Sequence, residues 1–388
     1  MRNQIICLIC FFACIPAFIH AQDVLVGPGT DITIGPGWHI NITNGGDLLL
    51  KNSATGNVSL IDRNSTSHVN FSGGGEAGVQ LFLEEEDWHY ISSPVDSSMS
   101  GAFLDIYLKR FEESDSSWTY VTAEDYLLNP FEGYAVWSSA ALTGDTNVTL
   151  RGGLNTGVFS KEMTNTGGGE HNSKGFNFAG NPYPSAINWQ VGNEGWTRTN
   201  IGPAIYLWNP VFGQYGSYNR NTKVGTNNVD SIIPSRQGFF VHVSEPGNGT
   251  LEVNTNACLH HHKALLKSGA AKTEDQKLHM VVSGNGFQDE AVILFRADAS
   301  NGFDEAHDSF KLSGKAEEPQ LYSNVEEVDL AVNTLQNVES NPVVPLYFEA
   351  GVAALYQINA SNLQSFGDNH VVVLEDLQEN IFHDLSVE

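Results

Sequence analysis

Residues 175–189 read GFNFAGNPYPSAINW, and this stretch decides the fold that we expect. Phe176 and Phe178 alternate with small or polar residues, as in a short strand, and two prolines then enclose Tyr183. A proline fixes its own φ angle and biases the preceding residue towards an extended conformation. We therefore interpret the segment as a stiff exit from a strand, which directs Tyr183 along one line and serves structure before chemistry.

An upstream stretch has the same form. Residues 88–95 read WHYISSPV, so that Trp88 takes the place of Phe176 and Pro94 the place of Pro182. Further matches follow in the same order, namely Ile106–Leu108 with Ile205–Leu207, 131–136 (FEGYAV) with 236–241 (RQGFFV), and Thr149-Leu150 with Thr250-Leu251. Because matches in one order are hard to obtain by chance, we predict two degenerate copies of one β unit, residues 79–157 and 175–257.

The composition indicates an all-β protein. The 388 residues include 38 glycines, 10% are aromatic and 16% are charged, which is typical of a turn-rich folded chain. Short apolar runs between turn residues recur throughout, and no helical period persists. We predict a short N-terminal β-solenoid-like segment, a duplicated β unit and a C-terminal β-sandwich.

Changes in composition divide the chain into regions. Three-residue apolar runs start eight residues apart, at Val24, Ile32, Ile40 and Leu48, which suits a small solenoid or a tight meander. From Glu274 onward there are 21 acidic and four basic residues. The predicted regions are a signal peptide (1–21), the solenoid-like segment (22–75), the duplicated domain (79–257), a polar linker (258–275) and an acidic β-sandwich (276–388).

The N-terminus predicts export to a secreted, extracellular or cell-surface location. Arg2 precedes an apolar run from Ile5 to Ile19, and Ala21 lies at a plausible cleavage point. After cleavage, no apolar run is long enough for a transmembrane helix. Three of the four cysteines lie in the predicted signal, so the mature chain holds Cys258 alone and no internal disulfide.

The charge of the chain limits its partners. The net charge is −26, from 45 acidic and 19 basic residues. Nucleic acid and an anionic membrane surface are therefore disfavoured, because both repel such a protein. Extracellular polysaccharide and cell-surface proteins are the partners that we expect.

Several motifs together carry a resemblance. They are WHYISSP at 88–94, GNPYPS at 180–185, QGFFV at 237–241, and Gly302-Phe303-Asp304 with Asp308 and Lys311-Leu312. Over nearly all of its mature length, the chain resembles a region of large exported multidomain β proteins of Bacteroidota that are associated with type IX secretion. The resemblance implies an extracellular or cell-surface location and leaves the molecular role undefined. Those proteins usually carry a further C-terminal sorting domain, which is absent here, so we expect either a fragment or another route of export.

Two groups of residues are candidates for metal binding. His260, His261 and His262 lie beside Cys258 and offer ligands for a transition metal, although adjacent side chains rarely converge on one ion and a linker is the simpler interpretation. An acidic group around Gly302 offers oxygen ligands for Ca²⁺, with solvated loop carboxylates as the alternative. Its members are Asp289, Glu290, Asp298, Asp304 and Asp308, of which Asp298, Asp304 and Asp308 are the candidate calcium ligands.

Aromatic side chains are the remaining candidates for ligand binding. Large amphipathic rings suit partly wet surfaces and can stack on sugars, whereas core filling is the alternative. We expect Trp196 and Tyr215 to lie in glycine-rich loops, and they are, with Tyr183, the residues that we select. The wider set comprises Trp118, Trp137, Trp189, Trp196, Trp208, Tyr183, Tyr215 and Tyr218.

No recognisable catalytic motif is present, such as a Gly-x-Ser-x-Gly elbow or a His-Glu-x-x-His helix. We therefore predict a non-catalytic exported protein, an extracellular structural or adhesion module that needs no cofactor. A carbohydrate-binding protein is the first alternative, and a polysaccharide-active enzyme is the second. Exposed, aligned aromatic rings would favour the former, and two facing carboxylates in a cleft would favour the latter.

The C-terminus predicts a hairpin formed by Val371–Asp376 and Ile381–Leu385. Few residues follow Leu385, so we expect the natural gene product to continue beyond Glu388. An unpaired strand edge would then recruit other chains.

Overall fold

The computed structural model describes residues 23–54, 56–138, 146–167, 174–261, 276–340, 342–367 and 370–386. Regular structure in these ranges is nearly all β-strand, which confirms the all-β class. The predicted signal peptide and residues 262–275 of the predicted linker lie outside the described residues. Within the described part, no helix is long and apolar enough to cross a membrane. The helical segments are the 3₁₀ turns Ser100–Phe103, Thr255–Ala257, Val338–Ser340 and Leu363–Phe366.

The N-terminal segment is a parallel β-solenoid. Its strands are β1 (Val24–Val26), β2 (Asp31–Ile34), β3 (Ile40–Ile42), β4 (Leu48–Leu50), β5 (Ser59–Asp62) and β6 (Val69–Phe71). Strand β1 pairs in parallel with β4, β2 with β5, and β3 with β6. The eight-residue spacing is therefore one strand with its turn, and three such spacings make one coil, so that Val24 lies opposite Leu48. Each coil buries its inward-facing apolar residues against the next coil.

The first copy follows the solenoid in the chain and extends one of its sheets. Its strands are β7 (Ala77–Leu83), β8 (Trp88–Ile91), β9 (Tyr107–Glu112), β10 (Ser117–Tyr120), β11 (Tyr134–Trp137) and β12 (Thr146–Gly152). Strand β7 continues the solenoid sheet by pairing in parallel with β4, and its other edge pairs with β12. The remaining strands form a four-stranded sheet in the order β10-β9-β11-β8.

The second copy has the same core topology. Its strands are β13 (Val158–Asn165), β14 (Phe176–Gly180), β15 (Ala186–Asn188), β16 (Trp196–Thr199), β17 (Ile201–Asn209), β18 (Gln214–Asn219), β19 (Val224–Gly225), β20 (Ile232–Ile233), β21 (Gly238–Val243), β22 (Gly247–Asn254) and β23 (Cys258–Leu259). The order β14-β21-β17-β18 repeats β8-β11-β9-β10, and β13 pairs with β22 as β7 pairs with β12.

The cross-strand register is also the same in the two copies. Trp88 lies opposite Trp137, as Phe176 lies opposite His242. This register makes Pro94 and Pro182 equivalent, as the duplication predicts. Three expectations need correction. The second copy begins at β13, before residue 175.

The second correction concerns the match of Ile106–Leu108 with Ile205–Leu207. Val136 pairs with Leu108 and its equivalent Val241 pairs with Ile205, so Leu108 corresponds to Ile205. The sequence match is displaced by two residues, because a shift of two along a strand preserves which face each side chain takes. The predicted linker also starts too early, since β23 pairs with β15.

The two copies face each other around an approximate two-fold axis. Ile91 of the first copy bridges Gln237 of the second, and the equivalent Ala179 bridges Glu132. The facing sheets enclose a core of aromatic rings, in which Tyr90 packs on its own equivalent, Phe178, with 4.9 Å between ring centroids. This reciprocal contact makes the two copies one body.

The C-terminal region adds a layer to the second copy. Its strands are β24 (Gln276–Gly284), β25 (Phe287–Phe295), β26 (Ser309–Phe310), β27 (Gln320–Val325), β28 (Val328–Leu335), β29 (Leu346–Glu349), β30 (Tyr356–Ser361), β31 (Val373–Asp376) and β32 (Ile381–Asp384). Seven of them form one mixed sheet, and β31 pairs with β32 in the predicted hairpin. One face of the sheet buries Val292 against Val224 of the second copy, and the other packs Ala291 near Leu374 of the hairpin. The sandwich is thus completed on one side by the second copy.

Candidate functional site

The turn after β14 buries Tyr183, the residue that lies between the two prolines of this segment. Tyr183 is 2% exposed, and its hydroxyl donates to the carbonyls of Gly157 (2.7 Å) and Val253 (3.1 Å). Burial raises its pKa. Its ring stabilises the core, so Tyr183 is not available to a ligand.

The other two selected aromatic residues are also core residues. Trp196 is 1% exposed and packs against Trp189, with 4.9 Å between ring centroids. Tyr215 lies between the two copies, where its hydroxyl is 2.5 Å from that of Tyr90, and burial raises its pKa to about 12. The expectation that these rings bind sugars is wrong, because both lie in strands on a face that another layer covers.

The candidate calcium ligands are occupied by protein groups. Asp298 accepts from Nε and Nη2 of Arg296 (2.9 Å each), and this contact lowers the pKa of Asp298 to about 2. Asp304 Oδ2 lies 2.8 Å from Nδ1 of His307. Asp308 accepts from the backbone N–H groups of Asp304 (2.8 Å) and Thr334 (2.7 Å), while burial raises its pKa to about 7.

These carboxylates therefore fasten a loop and do not surround an ion. In the described part of the chain, no group of three or more His, Cys, Asp and Glu side chains is placed to hold a metal. The neighbouring Asp289 forms a buried ion pair with Lys311 (2.6 Å), and Glu290 accepts from the backbone of Asn227 (2.8 Å).

The described members of the cysteine–histidine group likewise contact other protein groups and do not form a metal site. Cys258 is buried in β23, and burial raises its pKa to about 12, which keeps the thiol protonated. The two ring nitrogens of His260 lie 2.8 Å from Ser59 Oγ and 2.7 Å from Thr33 Oγ1 of the solenoid. His262 lies outside the described residues. The described members of this group therefore join the second copy to the solenoid.

A different set of aromatic residues reaches solvent on the first copy. Trp88 on β8, Trp137 on β11 and Tyr107 on β9 are successive cross-strand neighbours. Tyr120 on β10 lies opposite Lys109 on β9. We call these five residues the aromatic surface. Tyr107 and Tyr120 are each 52% exposed.

The rings of the aromatic surface contact one another and a cation. The Tyr107 centroid lies 5.5 Å from that of Trp137 and 6.0 Å from that of Tyr120, with ring planes inclined by 47° and 57°. Lys109 Nζ lies 4.6 Å from the Trp88 ring centroid and 4.5 Å from that of Tyr120. The ammonium group is thus held between two rings by cation–π attraction. The surface offers apolar ring faces beside a hydrogen-bond donor.

In the second copy, a residue of the C-terminal region covers the corresponding face. Phe176 and His242, the equivalents of Trp88 and Trp137, contact Phe310 of β26 at centroid distances of 5.5 and 4.7 Å. The backbone N–H of Phe310 donates to the hydroxyl of Tyr206, the equivalent of Lys109 (3.1 Å). One fold position is therefore covered in the second copy and open in the first.

Sequence reasoning included Trp137 in the wider aromatic set but did not select the other four members. The signal was the alternation of Tyr107, Lys109 and Phe111, and of Trp118 and Tyr120, which places each group on one face of its strand. Whether such a face is exposed depends on whether another layer covers it, and that is determined by contacts between distant segments of the chain.

Comparison with known proteins identifies one family. The model of a family described as "Domain of unknown function (DUF8693)" matches residues 19–388. No curated protein and no solved structure matches the chain.

Proposed function

The chain belongs to the DUF8693 family, and we propose from the geometry of its own surface that it is a non-catalytic, exported adhesion module that binds extracellular polysaccharide. The proposal rests on the aromatic surface. Its Tyr107 and Tyr120 are half exposed, whereas the equivalent position of the second copy is covered by Phe310. Exposed rings that contact one another across neighbouring strands favour the carbohydrate-binding alternative over a purely structural role.

The chemistry of the aromatic surface suits a sugar chain. The C–H faces of a pyranose ring pack on tyrosine and tryptophan rings, while hydroxyl groups accept from an ammonium such as that of Lys109. The inclined ring planes favour a single chain, whose successive units are rotated, over the flat face of a crystalline polysaccharide. A protein with a net charge of −26 would favour a neutral or weakly charged glycan at this surface.

The assignment as non-catalytic and exported has separate support. The acidic residues considered above are engaged with backbone N–H groups, Arg296, His307 and Lys311, and none is paired with a second carboxylate across a cleft in the described residues. Export rests on the N-terminal pattern. A cell-surface location in Bacteroidota, with type IX secretion, rests on the motif resemblance and belongs to the proposal.

A binding experiment with matched variants tests the proposal. The mature chain is applied to a glycan array, and the strongest soluble polysaccharide is then titrated by affinity gel electrophoresis. Each stacked aromatic ring contributes about 0.5–1.5 kcal/mol, so Tyr107→Ala combined with Tyr120→Ala should weaken binding by about tenfold. The control is Tyr347→Ala in the C-terminal sheet. The Tyr347 ring is 47% exposed and stacks on Tyr322, and neither residue belongs to the aromatic surface.

The control variant should bind as the wild type does. The proposal is contradicted if no glycan binds, or if the double variant retains wild-type affinity while its circular dichroism spectrum is unchanged.

A further inference from the structure

A pocket that is separate from the aromatic surface lies on the second copy. A pocket of about 290 Å³ opens beside β16 and β17, and its polar lining comes from Arg198, Arg220, Asn221, Ser244 and Glu305. Small-molecule pockets begin at about 300 Å³, so this one has room for a single small unit. None of these residues belongs to the aromatic surface.

Arg198 is held rigidly in the pocket wall. Its guanidinium carbon lies 4.2 Å from the Trp189 ring centroid and 4.9 Å from that of Trp196. Its Nη2 donates to the backbone carbonyls of Trp189 (2.6 Å) and Val191 (3.3 Å). The orientation of the guanidinium is therefore fixed before any ligand arrives, which reduces the entropy lost on binding.

Among the described residues, Arg198 and Arg220 have no ion-pair partner. Within the described part of the chain, no carboxylate lies within 4.0 Å of the guanidinium nitrogens of Arg198 or Arg220. The Nε of each is buried and without a hydrogen-bond acceptor. Burial, and then the charge of Arg220, lower the pKa of Arg198 to about 9. In a chain with 45 acidic and 19 basic residues, two neighbouring unpaired arginines are unexpected unless an anion binds them.

The remaining polar groups of the pocket suit hydroxyl groups. Glu305 forms no ion pair within 4.0 Å of either guanidinium group, and its Oε1 lies 2.6 Å from Nδ1 of His242. Its carboxylate can accept from a ligand hydroxyl, and Asn221 and Ser244 add further hydrogen-bonding groups on the same wall.

We propose that this pocket binds a carboxylate or sulfate group carried by a small hydroxylated molecule, such as one acidic sugar unit. The paired guanidinium groups of Arg198 and Arg220 bind the oxyanion, and Glu305, Asn221 and Ser244 bind neighbouring hydroxyls. This site is independent of the aromatic surface, and its existence does not depend on the function proposed above.

Isothermal titration at constant ionic strength tests the site, with glucuronate, glucose and sodium sulfate as probes. We expect saturable binding of glucuronate and sulfate and none of glucose. Hydrogen bonds to charged groups contribute about 1.5–3 kcal/mol, so Arg220→Gln should weaken glucuronate binding at least about tenfold. The matched control is Arg110→Gln on the first copy, where Arg110 pairs with Glu112 (2.9 Å), and it should not change binding.

Ser244→Asp provides a second variant in case Arg220→Gln does not fold. It keeps both arginines and adds a second carboxylate to a wall that already holds Glu305, which should weaken glucuronate binding by repulsion. The proposal is overturned if no probe binds saturably, if glucose binds as well as glucuronate, or if both pocket variants bind like the wild type. Binding of sulfate without glucuronate would overturn the assignment to a hydroxylated ligand. The Tyr107→Ala, Tyr120→Ala double variant should retain this site.

Discussion

At the scale of single residues, Asn181 holds the turn between β14 and β15 together. It is fully buried, and its amide group donates to the carbonyls of Ser185 (2.8 Å) and Pro234 (2.8 Å). Its Oδ1 accepts from the N–H of Tyr183 (3.0 Å), and its backbone carbonyl accepts from Ser92 of the first copy (2.6 Å). The side chain thus satisfies backbone groups that the two prolines prevent from pairing in a ladder.

Asn181→Ala should lower the free energy of unfolding by about 2–4 kcal/mol, because several buried backbone groups lose their partners at once. Urea unfolding followed by tryptophan fluorescence measures the change. The control is Asn70→Ala in the solenoid, where the side chain is exposed and bonds to Asn41 (3.1 Å). A loss no larger than that of the control would contradict the role given to Asn181.

Asp308 makes stability depend on pH. Its pKa, about 7 because of burial, is above the ordinary value of 3.8, so the folded state holds a proton that the unfolded state has released between these values. The stabilising contribution is full below about pH 4 and is lost as the pH rises through 7. Between pH 5 and pH 8, the wild type should therefore lose stability relative to Asp308→Asn, in urea unfolding at both values.

Asp298→Asn is the control for this comparison. The pKa of Asp298 is lowered to about 2 by Arg296, so its contribution is lost only as the pH falls through that value, and the variant should show no pH-dependent difference from wild type between pH 5 and pH 8. A stability difference for Asp308→Asn that is the same at both pH values would contradict the assignment.

At the scale of elements, the two copies meet where equivalent strand ends cross. Ser92 and Gly180 occupy the same position in their copies, and a Cβ atom on Gly180 would lie 2.3 Å from Cβ of Ser92 and 2.5 Å from the carbonyl oxygen of Glu132. Only one of the two equivalent positions can therefore carry a side chain. The residues Phe131 and Arg236, also equivalent, both adopt a positive φ, of 66° and 63°.

Gly180→Ala should destabilise the protein by about 1–3 kcal/mol through overpacking. Adding Ser92→Gly removes one of the two crowded contacts, so the double variant should be more stable than the sum of the single effects by about 0.5 kcal/mol or more. The four proteins of this cycle are compared by urea unfolding. Additive effects would show that the two residues do not meet across the approximate two-fold axis.

Much of the order and spacing of the strands is predictable from the sequence. Where a prediction is wrong, the cause is physical. Pro94 and Pro182 mark equivalent strand exits, and the eight-residue spacing marks the solenoid strands. The displacement at Leu108 and Ile205 escapes notice because strand alternation is unchanged by a shift of two residues. The burial of Trp196 escapes notice because glycines near an aromatic residue do not reveal which layer packs on it.

At the scale of the whole molecule, the solenoid contacts both copies, and the C-terminal sheet packs on the second copy. The duplicated units are nearly symmetric, but what packs on them is not. Phe310 covers Phe176 and His242 of the second copy, whereas Tyr107 and Tyr120 of the first remain half exposed. The sequence alone could not place this candidate site, because Phe310 reaches Phe176 across more than a hundred residues of chain.

The central claim is that the aromatic surface of the first copy contacts a polysaccharide, and hydroxyl-radical footprinting tests it most directly. The intact mature chain is oxidised with and without the strongest array ligand, and the modified residues are located by mass spectrometry. We expect oxidation of Trp88, Tyr107, Tyr120 and Trp137 to fall when the saccharide binds, while the buried Trp189 and Trp196 stay slow to oxidise in both states. Unchanged oxidation of the aromatic surface, with protection elsewhere on the molecule, would contradict the account.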